Sequence, residues 1–385
     1  MWSKLTKHTN SELTSCISRR QRLSRCKVQN ESIMTLPNAL DSDIGATHLT
    51  IPTRCAILNS IWGSNYTVPH LTQDESIGSS YLRYYGEQCR NALHPKGLDA
   101  LVATHADIVD TIQQLGHPSA TRESVKDHLR ARFPTRGEDN TEELLCETID
   151  LAVRLLLMVD IGKLQHGFVP GQKPLLWEGG GVKKLLQDRF GSQGGATFRI
   201  VRVKLDRLFT ARNLERIAGL QIVWSDNLSD HLRLMVDDTR IAIYHHASFL
   251  EHHKNSTVFP LGFIEETQRT LSLLFPQYDK QSRKWFKAQQ RKFGLDSRAC
   301  AAGHLTTEER QIENFTFWHD RLGILKQVFD EAEPRTIAQW WCDRRRRVQW
   351  YTFWVAAVVL TLTIFFGVVQ CIEGGFQVYK AYYPS

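Results

Sequence analysis

The sequence predicts a mostly helical α+β body followed by one transmembrane helix. Three observations lead there. Val348 to Ile372 is a run of 25 residues without a charge. Between Leu98 and Val159 apolar residues recur with a helical period, and Leu220 to His246 alternates as short strands.

The chain divides by composition. Residues 1–45 read as a disordered basic arm and 46–195 as a helical domain with a winged-helix-like part at 98–178. Residues 196–275 read as a small antiparallel α+β meander, and 276–347 as a basic loop and helical juxtamembrane region. The span is 348–372, with a short non-cytosolic tail at 373–385. The arm is rich in Ser, Thr, Arg and Lys and has no apolar stripe, so it buries too little to fold alone. Its Arg/Ser-rich start also suits a mitochondrial transit peptide, until Asp41 and Asp43 end the acid-poor stretch; translation from Met34 would remove most of it.

Leu98, Leu101, Val102, His105, Ile108, Val109, Ile112 and Leu115 keep i, i+3, i+4, i+7 spacing, and Gly116 and Pro118 stop that helix. Thr121 caps a second helix, with Val125, Leu129 and Phe133 inward and Pro134 at its end. A third runs over 141–159. "DIGKLQHGFVPGQKPLLWEGGG" then reads as two short strands around a Pro-Gly turn. Three helices and a hairpin are the order of a winged-helix module. Its third helix is wrong for DNA, because it carries Arg154 alone against Glu142, Glu143, Glu147, Asp150 and Asp160. A groove-reading helix needs basic and polar groups facing phosphates and base edges. Nucleic acid is therefore not an expected partner, and assembly is the better role for such a module.

"TARNLERIAG" is a short helix capped by Thr210 and stopped at Gly219. "LQIVW" is a strand, and "LRLMV" and "RIAIYHH" form a hairpin around Asp237 and Asp238. Further helices are expected at about 261–275 and 310–331.

The net charge of +7 is unevenly placed. Residues 1–30 contribute +6 and Arg344, Arg345, Arg346 and Arg347 another +4, which leaves the body slightly acidic. The eight cysteines make no C-x-x-C pair, so neither a zinc knuckle nor a small disulfide scaffold is indicated.

The uncharged run is about 37 Å long as a helix, enough to cross a ~30 Å hydrocarbon core with tilt. Trp350 to Val369 holds eleven Leu, Ile, Val or Phe residues, worth on the order of −3 to −6 kcal/mol of insertion. Trp350, Tyr351 and Trp354 mark one interface; Tyr379, Tyr382 and Tyr383 follow the other. Arg344 to Arg347 lie on the N-terminal side, so the positive-inside rule puts the body in the cytosol and the C-terminus across the membrane. Thirteen residues after the span imply insertion after synthesis, as a tail-anchored protein. The body has N-x-S/T sequons at Asn30, Asn65, Asn227, Asn255 and Asn314 that would report a lumenal location.

Candidate chemistry is sparse. "YHHASFLEHH" groups His245, His246, Glu251, His252 and His253, a set of metal-ligating types. Its pairs six to eight residues apart are roughly 9–12 Å apart along a helix. One ion joins them only if the helix breaks between Ala247 and Leu250, so surface or strand-end histidines are the simpler reading. His319-Asp320 is a lone dipeptide. "WEGGGVKK" lacks the G-x-x-x-x-G-K-[ST] spacing of a phosphate loop and reads as a loop entering a helix. Asp226, Asp230 and His231 have no placed nucleophile beside them. "DKQSRKWFKAQQRKFG" mixes cations with aromatics; it suits either a solvated helix face or contact with anionic lipid.

"LFTARNLERIAGLQIVWSDNLSDHLRL", "IYHHASFLE" and "EPRTIAQWWCDRRRRVQWYTFWVA" resemble a family of uncharacterised proteins from filamentous fungi. The resemblance covers roughly residues 85–375 and implies a fungal source and a single C-terminal span; it implies no catalytic residue. The long basic arm departs from that pattern. The expected protein is thus a single-pass, tail-anchored membrane protein with a cytosolic interaction module and no cofactor. Its partners are the bilayer, through residues 348–372, and unidentified proteins. The alternative is a metal-dependent hydrolase built on His245 to His253, and a nucleic-acid-binding winged helix is third.

Overall fold

A computed structural model describes residues 37–46, 48–93, 101–134, 141–162, 175–191, 203–333, 339 and 347–383. Among these, the N-terminal part is helical: α1 (Pro37–Leu40), α2 (Ile51–Trp62), α3 (Val68–Gln73), α4 (Ser79–Leu93), α5 (His105–Leu115), α6 (Arg122–Arg132), α7 (Thr141–Leu157) and α8 (Val182–Phe190). α5 starts later than the periodicity from Leu98 implies. Thr104 accepts from the Asp107 N–H while Asp107 reaches back to the Thr104 N–H, and this capping box fixes the first turn. Leu101 and Val102 are buried all the same, from the extended segment ahead of the helix. Thr121 caps α6 as its sequence indicates.

α7 is the centre of this part, packed by α4, α5 and α6. Leu145, Ile149, Ala152, Val153, Leu155 and Leu157 are fully buried. Its exposed positions are Glu142, Glu143 and Glu147, so the helix presents acid to solvent. The last carbonyls of a helix lack intrahelical partners. Here Tyr81 and Tyr84 donate their hydroxyls to the Leu155 and Arg154 carbonyls, at 2.9 and 3.1 Å. The buried Arg122–Asp150 ion pair, 2.7 Å, ties α6 to α7. Beyond α7 the expected hairpin differs. Ile161 and Leu175 meet in one parallel bridge, not an antiparallel ladder, and the Pro-Gly turn lies outside the described residues. The "WEGGG" segment is a loop entering α8, whose Gly180 carbonyl accepts from the Arg122 N–H.

Next come α9 (Ala211–Arg216), β1 (Gln221–Ser225), β2 (Leu234–Met235), β3 (Arg240–Tyr244), α10 (Ala247–His252), α11 (Phe263–Leu274), α12 (Lys280–Phe293) and α13 (His319–Glu331). Thr210 caps α9, and Gly219 leaves it at φ 72°, a left-handed conformation that suits glycine. The expected antiparallel meander is instead a mixed sheet of order β1–β3–β2. β2 and β3 form the antiparallel hairpin, but β1 pairs with β3 in parallel, Gln221 opposite Arg240 and Ser225 opposite Tyr244. The reason is burial. Ile241 to Tyr244 are covered on both faces, which suits a central strand next to a parallel neighbour, whereas β2 is too short to be central.

α13 begins at His319, not near 310, because Glu266 of α11 accepts from the Thr316, Phe317 and Trp318 N–H groups at 2.7 to 2.8 Å. That carboxylate is 5% exposed and satisfies the donors ahead of the helix. Phe190, Phe263 and Trp318 bring α8, α11 and α13 together, with rings 4.4 to 6.2 Å apart. One continuous hydrophobic core runs from Ile44 to Phe329.

The last helix, α14, spans Arg347–Tyr382. Its stretch from Trp350 to Tyr382 has a peak mean hydropathy of 2.4 with no buried residue, so it is not the core helix of the body; it is long and apolar enough to cross a membrane. It continues ten residues past Ile372, so the segment read as a tail is helical through Glu373 and Lys380. Arg344 to Arg346 lie outside the described residues. Arg347 opens the helix, and Trp350 and Trp354 sit on its first two turns.

Candidate functional site

Parallel pairing of β1 with β3 puts the residues that follow them at one edge of the sheet. Asp226 succeeds Ser225, and His245 and His246 succeed Tyr244. The carboxyl ends of parallel strands are where open sheets of this kind place ligands. Asp226 Oδ1 lies 2.5 Å from His246 Nε2 and 3.4 Å from His245 Nε2, and the two imidazoles stack at 4.1 Å. His245 is further fixed by Asp296, whose backbone N–H donates to His245 Nδ1 at 3.3 Å. The Asp296 carboxylate accepts from the Ser248 N–H and hydroxyl and from the Arg298 N–H, which holds that loop against the start of α10. His246 Nδ1 is buried without a hydrogen-bond partner among the described residues.

These contacts set the protons. Since His245 Nδ1 accepts, its proton is on Nε2, which donates to Asp226. Burial pushes the His245 pKa down to about 4, helped by its neighbour His246 and opposed by Asp226. Burial alone would raise the Asp226 carboxyl, but the imidazole donors outweigh it and hold the group well below the usual carboxylate range. At neutral pH the cluster is a carboxylate clasped by ring N–H groups.

Asp226 faces a cleft of about 770 Å³ between α4, α7 and the sheet. Tyr84, Trp177 and Trp224 form aromatic walls, and Arg122 lies over the Trp177 ring at 5.2 Å. Nine carboxylate side chains line the cleft against three arginines, a net of six negative charges. Asn227 knits its floor: its Nδ2 donates to Asp160 at 2.9 Å, and its Oδ1 accepts from the Ser229 N–H and hydroxyl.

The five clustered candidates from the sequence do not converge. His245 and His246 stay together. His252 points elsewhere, stacked on Trp62 at 4.4 Å with its Nε2 3.0 Å from the Tyr66 hydroxyl. His253 stacks on Phe249 and donates its Nδ1–H to the Phe249 carbonyl, and burial pushes its pKa down to about 4. Glu251 pairs with Arg298 at the surface. His231 is a core residue. It accepts from the Tyr244 N–H and meets the Thr270 hydroxyl at 2.6 Å, and burial with Arg321 nearby pushes its pKa down to about 3. His319 and Asp320 bond to each other, 3.0 Å apart.

The group with metal-ligand character is therefore Asp226, His245 and His246, whose ligand atoms all lie within 4.8 Å of one another. Sequence reasoning missed Asp226 as their partner because a meander would put β2 between β1 and β3, one strand's width between Asp226 and the histidines, whereas here β3 lies directly beside β1. The surroundings do not favour an ion. A metal-bound histidine uses its free nitrogen as a donor, yet His245 Nδ1 faces an N–H and His246 Nδ1 faces no acceptor among the described residues. Ser229, the hydroxyl nearest in sequence to Asp226, Asp230 and His231, bonds Asn227 and not an imidazole. Compared with known protein families, characterised proteins and solved structures, the chain matches none.

Proposed function

We propose that the chain is a single-pass membrane protein whose body faces the cytosol and acts as an interaction module. The observation that carries the reading is α14, a helix that satisfies its own backbone and presents apolar side chains on every side, a surface that only lipid suits. The acidic, aromatic-walled cleft then fits a cationic partner, such as a Lys- or Arg-rich segment. The acidic outer face of α7 supports assembly over nucleic acid, and a winged-helix-like arrangement of residues 98–178 would belong with that role.

Two measurements test it. The full chain is expected to stay in the membrane pellet through alkaline carbonate extraction and to lose that behaviour when 348–372 is deleted. Among the sequons, Asn65, Asn255 and Asn314 are exposed, whereas Asn227 is buried and bonded to Asp160. A cytosolic body is expected to show no glycosidase-sensitive shift; glycans on the exposed sequons would place it in a lumen.

A metal-dependent hydrolase is the second reading, favoured by the convergence of Asp226, His245 and His246. Its test is elemental analysis of the purified chain. Zinc or iron well below one equivalent per chain is expected, because no acceptor among the described residues orients the free imidazole nitrogens. One equivalent that disappears in His246→Ala would establish a metal site there and put the hydrolase reading ahead.

A further inference from the structure

α12 is the most one-sidedly charged element among the described residues. Its fourteen residues, "KQSRKWFKAQQRKF", hold six cations and no acid. At 100° per residue, Lys280, Arg283, Lys284, Lys287 and Arg291 fall within an arc of about 100°. Ser282 and Phe286, which bury the helix in the body, lie on the other side, and Trp285 donates its indole N–H to Glu215 there. All six cations are exposed, and among the described residues none of them forms an ion pair. Elsewhere in the body cations are commonly matched, as Arg122, Arg130, Arg132, Arg233 and Arg298 are. Tyr278 is exposed, 76%, just ahead of the N-terminal end of the stripe. The sign of the charge continues past the N-terminal end. A second cavity of about 720 Å³ begins there, lined by Tyr278 and by Arg207, Arg212, Arg216 and Arg310 against two aspartates.

We infer that the α12 stripe docks on the anionic surface of the bilayer that holds α14, so that the body lies against the membrane by this face. The inference rests on the anchored reading. Reach is not limiting: the fourteen chain steps from Glu333 to Arg347 span at most about 50 Å. The same leaflet that favours Arg344 to Arg347 carries anionic headgroups, and unpaired lysines and arginines are drawn to it within a Debye length. The exposed Tyr278 beside the stripe suits the interfacial layer.

The test is lysine footprinting of the full chain in lipid nanodiscs, read by mass spectrometry. Lys280, Lys284 and Lys287 are expected to be acetylated at least threefold more slowly in discs with 30% phosphatidylserine than in phosphatidylcholine discs. Lys183 on α8 serves as the reference. The protection is expected to vanish at 0.5 M salt and in Arg283→Glu/Arg291→Glu, and to survive in Arg283→Lys/Arg291→Lys, which separates charge from folding. Equal rates in the two lipids, or protection that persists in the glutamate variant, would overturn the inference. So would protection that needs an added acidic polypeptide or RNA. A chain that fails to enter the discs would defeat the anchored reading itself, a different result from entering them unprotected.

Discussion

Acidification is expected to unfold the body between about pH 5.5 and 4, well before its carboxylates are neutral. His231, His245 and His253 are fully buried, and burial pushes their pKa values down to about 3, 4 and 4. In the unfolded chain each would take up a proton near pH 6.5. Between those limits the unfolded state binds more protons, so stability rises with pH across the window and is lost as pH falls. One such group contributes about 1.4 kcal/mol per pH unit. Three together reach on the order of 10 kcal/mol by pH 4, comparable to the whole stability of a typical domain. The surroundings do not rescue them. His231 faces Arg321, and His253 sits between Phe249 and Phe259 with His252 nearby. His245 does have Asp226, but shares it with His246. The depressed Asp226 carboxyl adds its own loss only below its unfolded value near pH 4. Circular dichroism against pH checks the midpoint. His253→Phe keeps the aromatic stack and is expected to lower the midpoint by a few tenths of a unit; an unchanged transition would place its cause elsewhere.

Replacing Glu266 with alanine is expected to destabilise the body by about 3 to 5 kcal/mol. The carboxylate is the acceptor for three consecutive N–H groups ahead of α13, and those groups lie in a closely packed region beside Trp318. Without it, the buried Trp318 N–H loses its partner at roughly 1 to 3 kcal/mol, and the part-buried Phe317 and Thr316 donors add smaller losses because water can reach them. Urea unfolding of the nanodisc-bound chain measures the effect. Glu266→Gln keeps the shape and one acceptor oxygen but loses the charge, and is expected to cost about half as much. A loss below 1 kcal/mol in the alanine variant would show that the segment before α13 holds without the carboxylate.

The parts legible in the sequence were the ones decided locally. Thr121 and Thr210 announce helix starts through their own side chains, and the apolar run of α14 needs no partner to be recognised. The Thr104 cap is masked because the apolar period already runs through Leu98, Leu101 and Val102. Non-local pairings were not legible. Nothing within residues 220–246 says that β1 pairs with β3 and leaves β2 at the edge, and that choice decides whether Asp226 meets His245 and His246. Glu266 stops α13 from starting early across some fifty residues of chain. The four histidines are close in sequence, yet their spacing already argues against one shared ion, and the turn from β3 into α10 sends His252 and His253 into packing against Trp62 and Phe249.

The length of α14 bears on where in a cell the chain can rest. A 25-residue uncharged stretch is about 37 Å long, against roughly 27 Å of hydrocarbon in endoplasmic-reticulum bilayers and 32–33 Å in sterol-rich plasma membranes. In a thin bilayer the helix must tilt steeply or thicken the lipid around it, at a fraction of a kcal/mol per Å of mismatch. Such costs sort proteins by membrane thickness. On the anchored reading, the stretch matches a thicker bilayer with less tilt, and shortening it by five or six residues is expected to shift the chain toward thinner membranes.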